Sequence, residues 1–285
     1  MADFLGELLT PLTYGFMQRG LLAALLVGVL CSIIGCYVVL RSMAFLGDAM
    51  AHAVLPGVAI AFLLGYNLTL GALAAALIVA LGVGLFSRRG AIKEDTAIGV
   101  LFAAALSLGV VLISTFRTYA VDLSHILFGN VLGVSNLDLW LTAGLGALIL
   151  VAILVFYRPF LVISFDPILA ATLRMRVDFY RNLLLILLAL TIVVSMQTVG
   201  VGLVAALLVT PAATAYLLVR RLPSMMALSA LFGAFSSLTG LFASYYLNVA
   251  SGAAIVLTAT ILFLLAFLFS PSRGFIWEFA GRRTV

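Results

Sequence analysis

Long apolar runs, separated by short stretches that contain charges, glycines or prolines, make up most of this chain. A helix needs about 17 to 25 apolar residues to cross the roughly 30 Å hydrocarbon core of a bilayer. Runs of this length, which we predict as membrane-spanning helices, lie at residues 20–40, 43–65, 68–87, 97–116, 137–157, 182–199, 201–219, 225–247 and 252–270. The pattern therefore predicts an all-α, polytopic membrane helical bundle with a single transmembrane domain over residues 1–285.

The runs at 182–199 and 201–219 are the least clearly delimited, because the glycines between them leave only about 18 residues for each. If one of them is partial or re-entrant, the bundle has eight spans, so we predict 8 to 9 transmembrane helices. Two further segments are not predicted to span. Residues 1–16 have the character of an amphipathic surface segment, and residues 121–135 are short and polar, as is typical of an interfacial loop or short helix.

Composition excludes several classes of protein. Hydrophobic residues make up 65% of the chain and charged residues 9%, against about 25% in a soluble domain, so a soluble surface cannot be built. The basic residues do not cluster with aromatics, which argues against binding of nucleic acid. The single lysine, Lys93, follows Ile92, so the chain has no P-loop for ATP, and it also lacks HExxH and GxSxG motifs. We therefore predict a non-catalytic protein surrounded by membrane lipid.

The basic residues are distributed unequally between the two ends of the predicted spans. With nine spans, all Lys and Arg residues except Arg19 and Arg117 fall at one end. Because Lys and Arg concentrate on the cytoplasmic side, the N-terminus is predicted outside and the C-terminus in the cytoplasm. An eight-span bundle would move the N-terminus but not the C-terminus.

Asp48 is the acid that lies inside an apolar run, whereas the others lie in loops or at run ends. His52 follows four residues later, which places both side chains on one face of a helix. An ionisable pair at membrane depth is costly unless it has partners or a function. Carboxylate and imidazole suit Mn(II), Fe(II) or Zn(II), whereas copper(I) prefers sulfur. The alternative interpretation is an ion pair that fixes helix packing.

Two ligands are too few for a closed metal site. If two copies pack about a two-fold axis with these helices facing, symmetry supplies two Asp and two His side chains. Pro56 has no N–H to bond the carbonyl of His52, so a kink is predicted beside the pair. A second proline, Pro211, lies in the Gly- and Ala-rich segment 200–215, which indicates either tight helix packing or a hinge.

The longest predicted loop on the cytoplasmic side covers residues 158–181. Within it, Asp166 and Pro167 are a typical helix start, with an N-cap and a proline at the first helical position. The residues that this short helix is expected to expose are Ile168, Leu169, Leu173 and Arg174. Such a helix is either a docking site for a cytoplasmic partner or an interfacial helix whose arginines reach the lipid headgroups.

These features resemble the integral membrane permeases of ABC-type manganese, zinc and iron importers. The resemblance extends over nearly the whole chain, and the block around Asp48, His52 and Pro56 is its most specific part. The segments that carry it, in the family's order, are RSMAFLGDAMAHAVLPGVAIAFLLG, EDTAIGVLFAAALSLGVVL, HILFGNVLGVS, FDPILAATL, VGLVAALLVTPAATA and SGAAIVLTA.

The resemblance implies a homodimer of permeases in the bacterial cell membrane. It further implies two copies of a separate cytoplasmic ATP-binding subunit and an extracytoplasmic metal-binding protein that delivers the metal. Asp48 and His52 match the family's metal-coordinating positions, and the helix after Asp166 is similar to its coupling helix. Many relatives carry glycine after the Ala-x-x-Leu of that helix, where this chain has Arg174 and Met175.

The function expected from the resemblance is import of a divalent metal, with no permanently bound cofactor. The sequence Ala-Val-Leu-Pro-Gly after His52 is similar to the manganese-type members, so Mn(II) is the expected substrate. Zn(II) or Fe(II) import remains an alternative, because ligand type alone does not separate these ions. A self-sufficient cation channel or carrier is a further alternative, which would need no ATPase.

Overall fold

The computed structural model describes residues 10–88, 92–115 and 131–270, and within these ranges the regular structure is entirely helical. The α-helices are α1 (Gly15–Leu40), α2 (Ala44–Ala53), α3 (Leu55–Leu63), α4 (Leu68–Phe86), α5 (Glu94–Ser114), α6 (Asn136–Val155), α7 (Tyr157–Phe165), α8 (Pro167–Thr172), α9 (Val177–Val199), α10 (Val201–Leu218), α11 (Leu222–Leu247) and α12 (Ser251–Phe269).

Nine stretches of the described residues are long and apolar enough to cross a membrane. They are α1, α2 together with α3, α4, α5, α6, α9, α10, α11 and α12. The uncertain pair of runs forms two separate helices, α9 with 23 residues and α10 with 18. Gly200 joins them at a φ of 86°, which glycine adopts without steric cost. The prediction of an all-α, polytopic bundle is therefore confirmed, with the larger number of spans.

Successive spans run in opposite directions, so the ends of α1, α4, α6 and α10 lie beside the starts of α2, α5, α9 and α11. The Ser270 hydroxyl donates a hydrogen bond to the carbonyl of Leu217, which places the end of α12 there too. We name this the basic end, since all described basic residues except Arg19 belong to it. They are Arg41, Arg88, Lys93, Arg158, Arg174, Arg176, Arg181, Arg220 and Arg221.

Helix α1 lies at the centre of the bundle and packs against α6, α9, α10 and α11. Small residues allow the close approach. A Cβ added at Gly28 would lie 2.9 Å from the carbonyl oxygen of Gly233 in α11, and one added at Gly35 would overlap the carbonyl of Leu208 in α10. Helix α2, which carries the Asp-His pair, packs against α4, α5, α9 and α10.

The predicted loop 158–181 is helical over most of its length. Helices α7 and α8 meet at Asp166, and the last five residues of the segment belong to α9, which begins at Val177. Helix α7 is anchored because Phe160 is buried and its ring contacts that of Tyr37, with centroids 5.8 Å apart. The segment is therefore attached to the core of the bundle through α7.

The two segments predicted outside the spans are described in part. Of residues 1–16, Thr10–Thr13 form a short 3-10 helix and α1 already begins at Gly15, while the start of the segment lies outside the described residues. Of residues 121–135, the described part contains the 3-10 helix Val131–Gly133. The remainder of that segment, too, lies outside the described residues.

Candidate metal site

Helix α2 places Asp48 and His52 on one face. Nε2 of His52 lies 3.6 Å from Oδ1 of Asp48, which is longer than a hydrogen bond. The side chain of His52 is 34% exposed and that of Asp48 is 47% exposed. Neither side chain is enclosed by the chain that carries it, and both are free to turn toward a shared ligand.

The pair lies nearer to the basic end than to the opposite end of its span. At a rise of about 1.5 Å per residue, Asp48 is about 6 Å and His52 about 12 Å along the axis from Ala44, where α2 begins. The span continues through α3 to Leu63. An ion held by these side chains would therefore be bound in the half of the span closer to the basic end.

The two candidate kink prolines behave differently. The span is interrupted at Val54, between α2 and α3, and Pro56 lies in the first turn of α3, where its missing N–H breaks no further bond. Helix α10, in contrast, continues from Val201 to Leu218 through the buried Pro211. The break beside the Asp-His pair is thus a local feature of this span.

An aromatic side chain from α5 borders the pair. The ring of Phe102 lies 6.3 Å from that of His52 and 5.6 Å from that of Phe45, edge to face with the latter. Phe102 thereby limits the space that the imidazole can enter on the α5 side. The apolar pattern does not indicate this contact, because Phe102 is one of many large apolar residues in its run.

Among the described residues, Asp48 and His52 supply only part of a metal site. In the part of the chain that the structure describes, no group of three or more His, Cys, Asp and Glu side chains is placed to hold a metal ion. One carboxylate and one imidazole on an open face supply two ligands. A metal ion held by this pair would need further ligands.

Helix α8 begins as its sequence predicts. Oδ1 of Asp166 accepts hydrogen bonds from the N–H groups of Ile168 and Leu169, both at 2.9 Å, and Pro167 occupies the first helical position. The large apolar side chains that α8 and its C-cap expose are Ile168, Leu169 and Leu173. A short capped helix thus presents apolar side chains to its surroundings at the basic end.

Arg174 ends α8 in a backbone conformation that glycine favours. Its φ is 56°, in the left-handed region. Its N–H donates to the carbonyl of Ala171, and the N–H of Met175 donates to that of Ala170, as at a typical helix C-terminus. A residue other than glycine thus ends α8 in a conformation that glycine adopts most readily.

A group of charged side chains at the basic end is not indicated by the sequence analysis. We name it the ionic cluster; its members are Arg41, Arg88, Glu94, Asp178 and Arg181. Burial lowers the pKa of Arg41, and the carboxylate of Glu94 opposes this shift. A usable signal existed, since Glu94 and Asp178 lie near run ends that also carry basic residues.

Comparison with known proteins identifies the family. The model of the ABC 3 transport family matches residues 13–270. The manganese transport system membrane protein MntC of Halalkalibacterium halodurans is 50% identical, over 95% of this chain and 94% of that protein. The manganese import system permease protein ScaB of Streptococcus gordonii is 45% identical, over 92% of this chain and 94% of that protein.

A solved structure agrees in fold with the chain. In PsaBC from Streptococcus pneumoniae in complex with Fab, one chain superposes with a TM-score of 0.82 and 43% sequence identity, over 97% of this chain and 99% of that chain. The expected resemblance to importer permeases is thereby confirmed. The chain is a multi-pass membrane protein that belongs to the ABC 3 transport family.

Proposed function

We propose that this chain is the membrane permease of an ATP-driven importer whose substrate is Mn(II). The observation that carries the proposal is the Asp48–His52 pair, held on one open face of α2 with the two ligand atoms 3.6 Å apart. Similar proteins of the family are named as manganese transport or import proteins. A carboxylate and an imidazole are suitable ligands for this ion.

Two copies of the chain face each other across a two-fold axis in the proposed importer. Each supplies Asp48 and His52, so symmetry completes a site with two oxygen and two nitrogen ligands. The hydrated ion exchanges part of its water for these ligands. Because imidazole must be neutral to bind a metal, binding is expected to weaken as the pH falls.

The proposed partners bind at opposite ends of the bundle. In this proposal the basic end faces the cytoplasm, because Lys and Arg concentrate on that side, and the C-terminus is expected there too. The exposed side chains of α8 dock there on a separate ATP-binding subunit, which hydrolyses ATP, while this chain is not itself an enzyme. An extracytoplasmic metal-binding protein delivers Mn(II) at the opposite end.

The test is metal uptake by vesicles that contain the permease and its ATP-binding subunit. Wild type is expected to accumulate Mn(II) only with ATP, and Asp48→Ala and His52→Ala are expected to abolish accumulation while the complex still assembles. Asp138→Asn is the matched control, since Asp138 lies in the capping box of α6 at the opposite end.

Three other results would contradict parts of the proposal. Retained uptake in both Asp48→Ala and His52→Ala would rule out the site. Uptake by the permease alone without ATP would identify a self-sufficient channel or carrier. Preferential accumulation of Zn(II) or Fe(II) in a mixture of the three ions would correct the substrate.

A further inference from the structure

The buried half of the ionic cluster is built around one carboxylate. Glu94 is the first residue of α5, and its two oxygens lie 2.6 and 2.7 Å from Nη2 of Arg41. Nε of Arg181 lies 3.9 Å from Oε1 of Glu94. The three side chains are 11%, 22% and 12% exposed for Arg41, Glu94 and Arg181. Glu94 thus pairs with the largely buried guanidinium of Arg41 and lies close to that of Arg181, and its removal would take away the acidic partner of Arg41.

Arg181 also joins α9 to the end of α4. Its Nη2 donates to the carbonyl of Gly84 at 3.0 Å and to Oδ1 of Asp178 at 2.8 Å. A guanidinium at the C-terminal carbonyls of a helix is electrostatically favourable. Asp178 in turn meets Arg88, and both side chains are at least half exposed. The pair of Arg88 and Asp178 is therefore exposed to solvent. The buried group of Arg41, Glu94 and Arg181 holds the helix ends together.

Along the connected helices, the cluster lies between α8 and the Asp48–His52 pair. Helix α9, which carries Arg181, follows α8 after a short connection. Arg41 precedes the turn into α2, in which Ser42 has a φ of 56° and the N–H of Met43 donates to the carbonyl of Val38. Asp48 lies one helical turn into α2. The contact through Glu94 therefore links α8 and α9 to the start of α2.

Glu94 lies beside two guanidinium groups, and it accepts hydrogen bonds from that of Arg41. Nη1 of Arg41 and Nε of Arg181 are both buried without a hydrogen-bond partner among the described residues. A small movement of α9 toward α5 would let Glu94 exchange its bonds with Arg41 for bonds with Arg181. Two alternative bonding arrangements of one element are a physical basis on which distant sites can be coupled.

We propose that Glu94, together with Arg41 and Arg181, is a coupling latch that transmits movement of α8 and α9 to the helix that carries Asp48 and His52. The inference rests on the proposed function. The latch residues transmit movement between the helices and do not bind the metal. Helix α5 takes part as well, because its Phe102 contacts His52.

The test compares metal transported with ATP hydrolysed, in vesicles that contain the permease and its ATP-binding subunit. Glu94→Gln keeps the shape of the side chain and removes its charge. This variant is expected to assemble, to bind Mn(II) with wild-type affinity and to hydrolyse ATP, while the metal moved per ATP falls at least about fivefold. Asp95→Asn is the matched control, since Asp95 is the next residue of α5 and is exposed.

A wild-type ratio of metal to ATP in Glu94→Gln would overturn the latch, and so would parallel losses of uptake and hydrolysis that leave the ratio unchanged. If Glu94→Gln does not assemble, Arg181→Lys takes its place. Lysine keeps the charge but cannot make the forked contacts of arginine, so a lower ratio is expected and an unchanged ratio overturns the latch. Absence of ATP-dependent uptake in wild type contradicts the proposed function instead.

Discussion

The backbone of Arg174 is strained, and the strain can be measured by comparing substitutions at this residue. A non-glycine residue in the left-handed region costs about 1 to 2 kcal/mol, and Arg174 has a φ of 56°. Arg174→Gly is therefore expected to be more stable than Arg174→Ala by about 1 kcal/mol. Both variants lack the guanidinium, so the alanine variant is the control. The comparison is made by thermal denaturation in detergent, and equal midpoints would contradict the strain.

Gly35 is required by the contact between α1 and α10. A Cβ at this position would overlap the carbonyl of Leu208, so Gly35→Ala must separate the two helices. We expect a loss of about 1 to 3 kcal/mol of stability, as for other overpacked cores. Gly144→Ala in α6 is the control, because a Cβ there meets no atom within 4 Å. Equal thermal stability of the two variants would contradict the packing argument.

Single residues were predictable where their type is rare in the surrounding run or where they form a local capping motif. Asp48 was visible as the acid inside an apolar run, and Asp166 as a local N-cap. Phe102 and the partners of Glu94 were not visible. A membrane span is apolar on every side, so its sequence does not reveal which face meets which neighbour. Contacts between distant spans follow from packing alone.

At the scale of elements, α8 depends on its cap because it has only six residues. Asp166→Ala removes both bonds to the first turn and is expected to cost about 1 kcal/mol. The predicted result is faster amide exchange in α8 and weaker binding of the ATP-binding subunit. Ser135→Ala removes a cap at the other end of the bundle and serves as control. If both variants bind the subunit equally well, docking does not depend on α8.

The spans themselves were predictable, and so was the break beside the Asp48–His52 pair, whereas the continuity of α10 through Pro211 was not. Apolar length, with charges and turn residues marking the ends, placed nine runs close to the observed helices, including the pair joined at Gly200. Pro56 and Pro211 lack the same N–H, yet only the span of Pro56 is interrupted. Residues of the interrupted span are more often buried than those of α10, so burial does not explain the difference. The missing N–H of a proline is therefore not sufficient by itself to break a span.

At the scale of the whole molecule, the distribution of charge and the exposure of the Asp48–His52 pair become visible. The basic residues lie at one end, as the apolar runs predict. Some of the ion pairs that they form depend on acidic residues of other spans. Glu94 joins the end of α1 to α5 and α9 at that end. The metal pair, in contrast, lies on a face that its own chain leaves open.

The open face predicts that metal binding belongs to two chains together. A tandem fusion of two copies is expected to bind one Mn(II), since symmetry places both pairs around one ion. Asp48→Ala in one copy should weaken binding at least about tenfold, or about 1.4 kcal/mol, and the same change in both copies should abolish it. Binding is measured by calorimetry in detergent. Two ions per fusion, or an unaffected single variant, would show that each chain binds its metal alone.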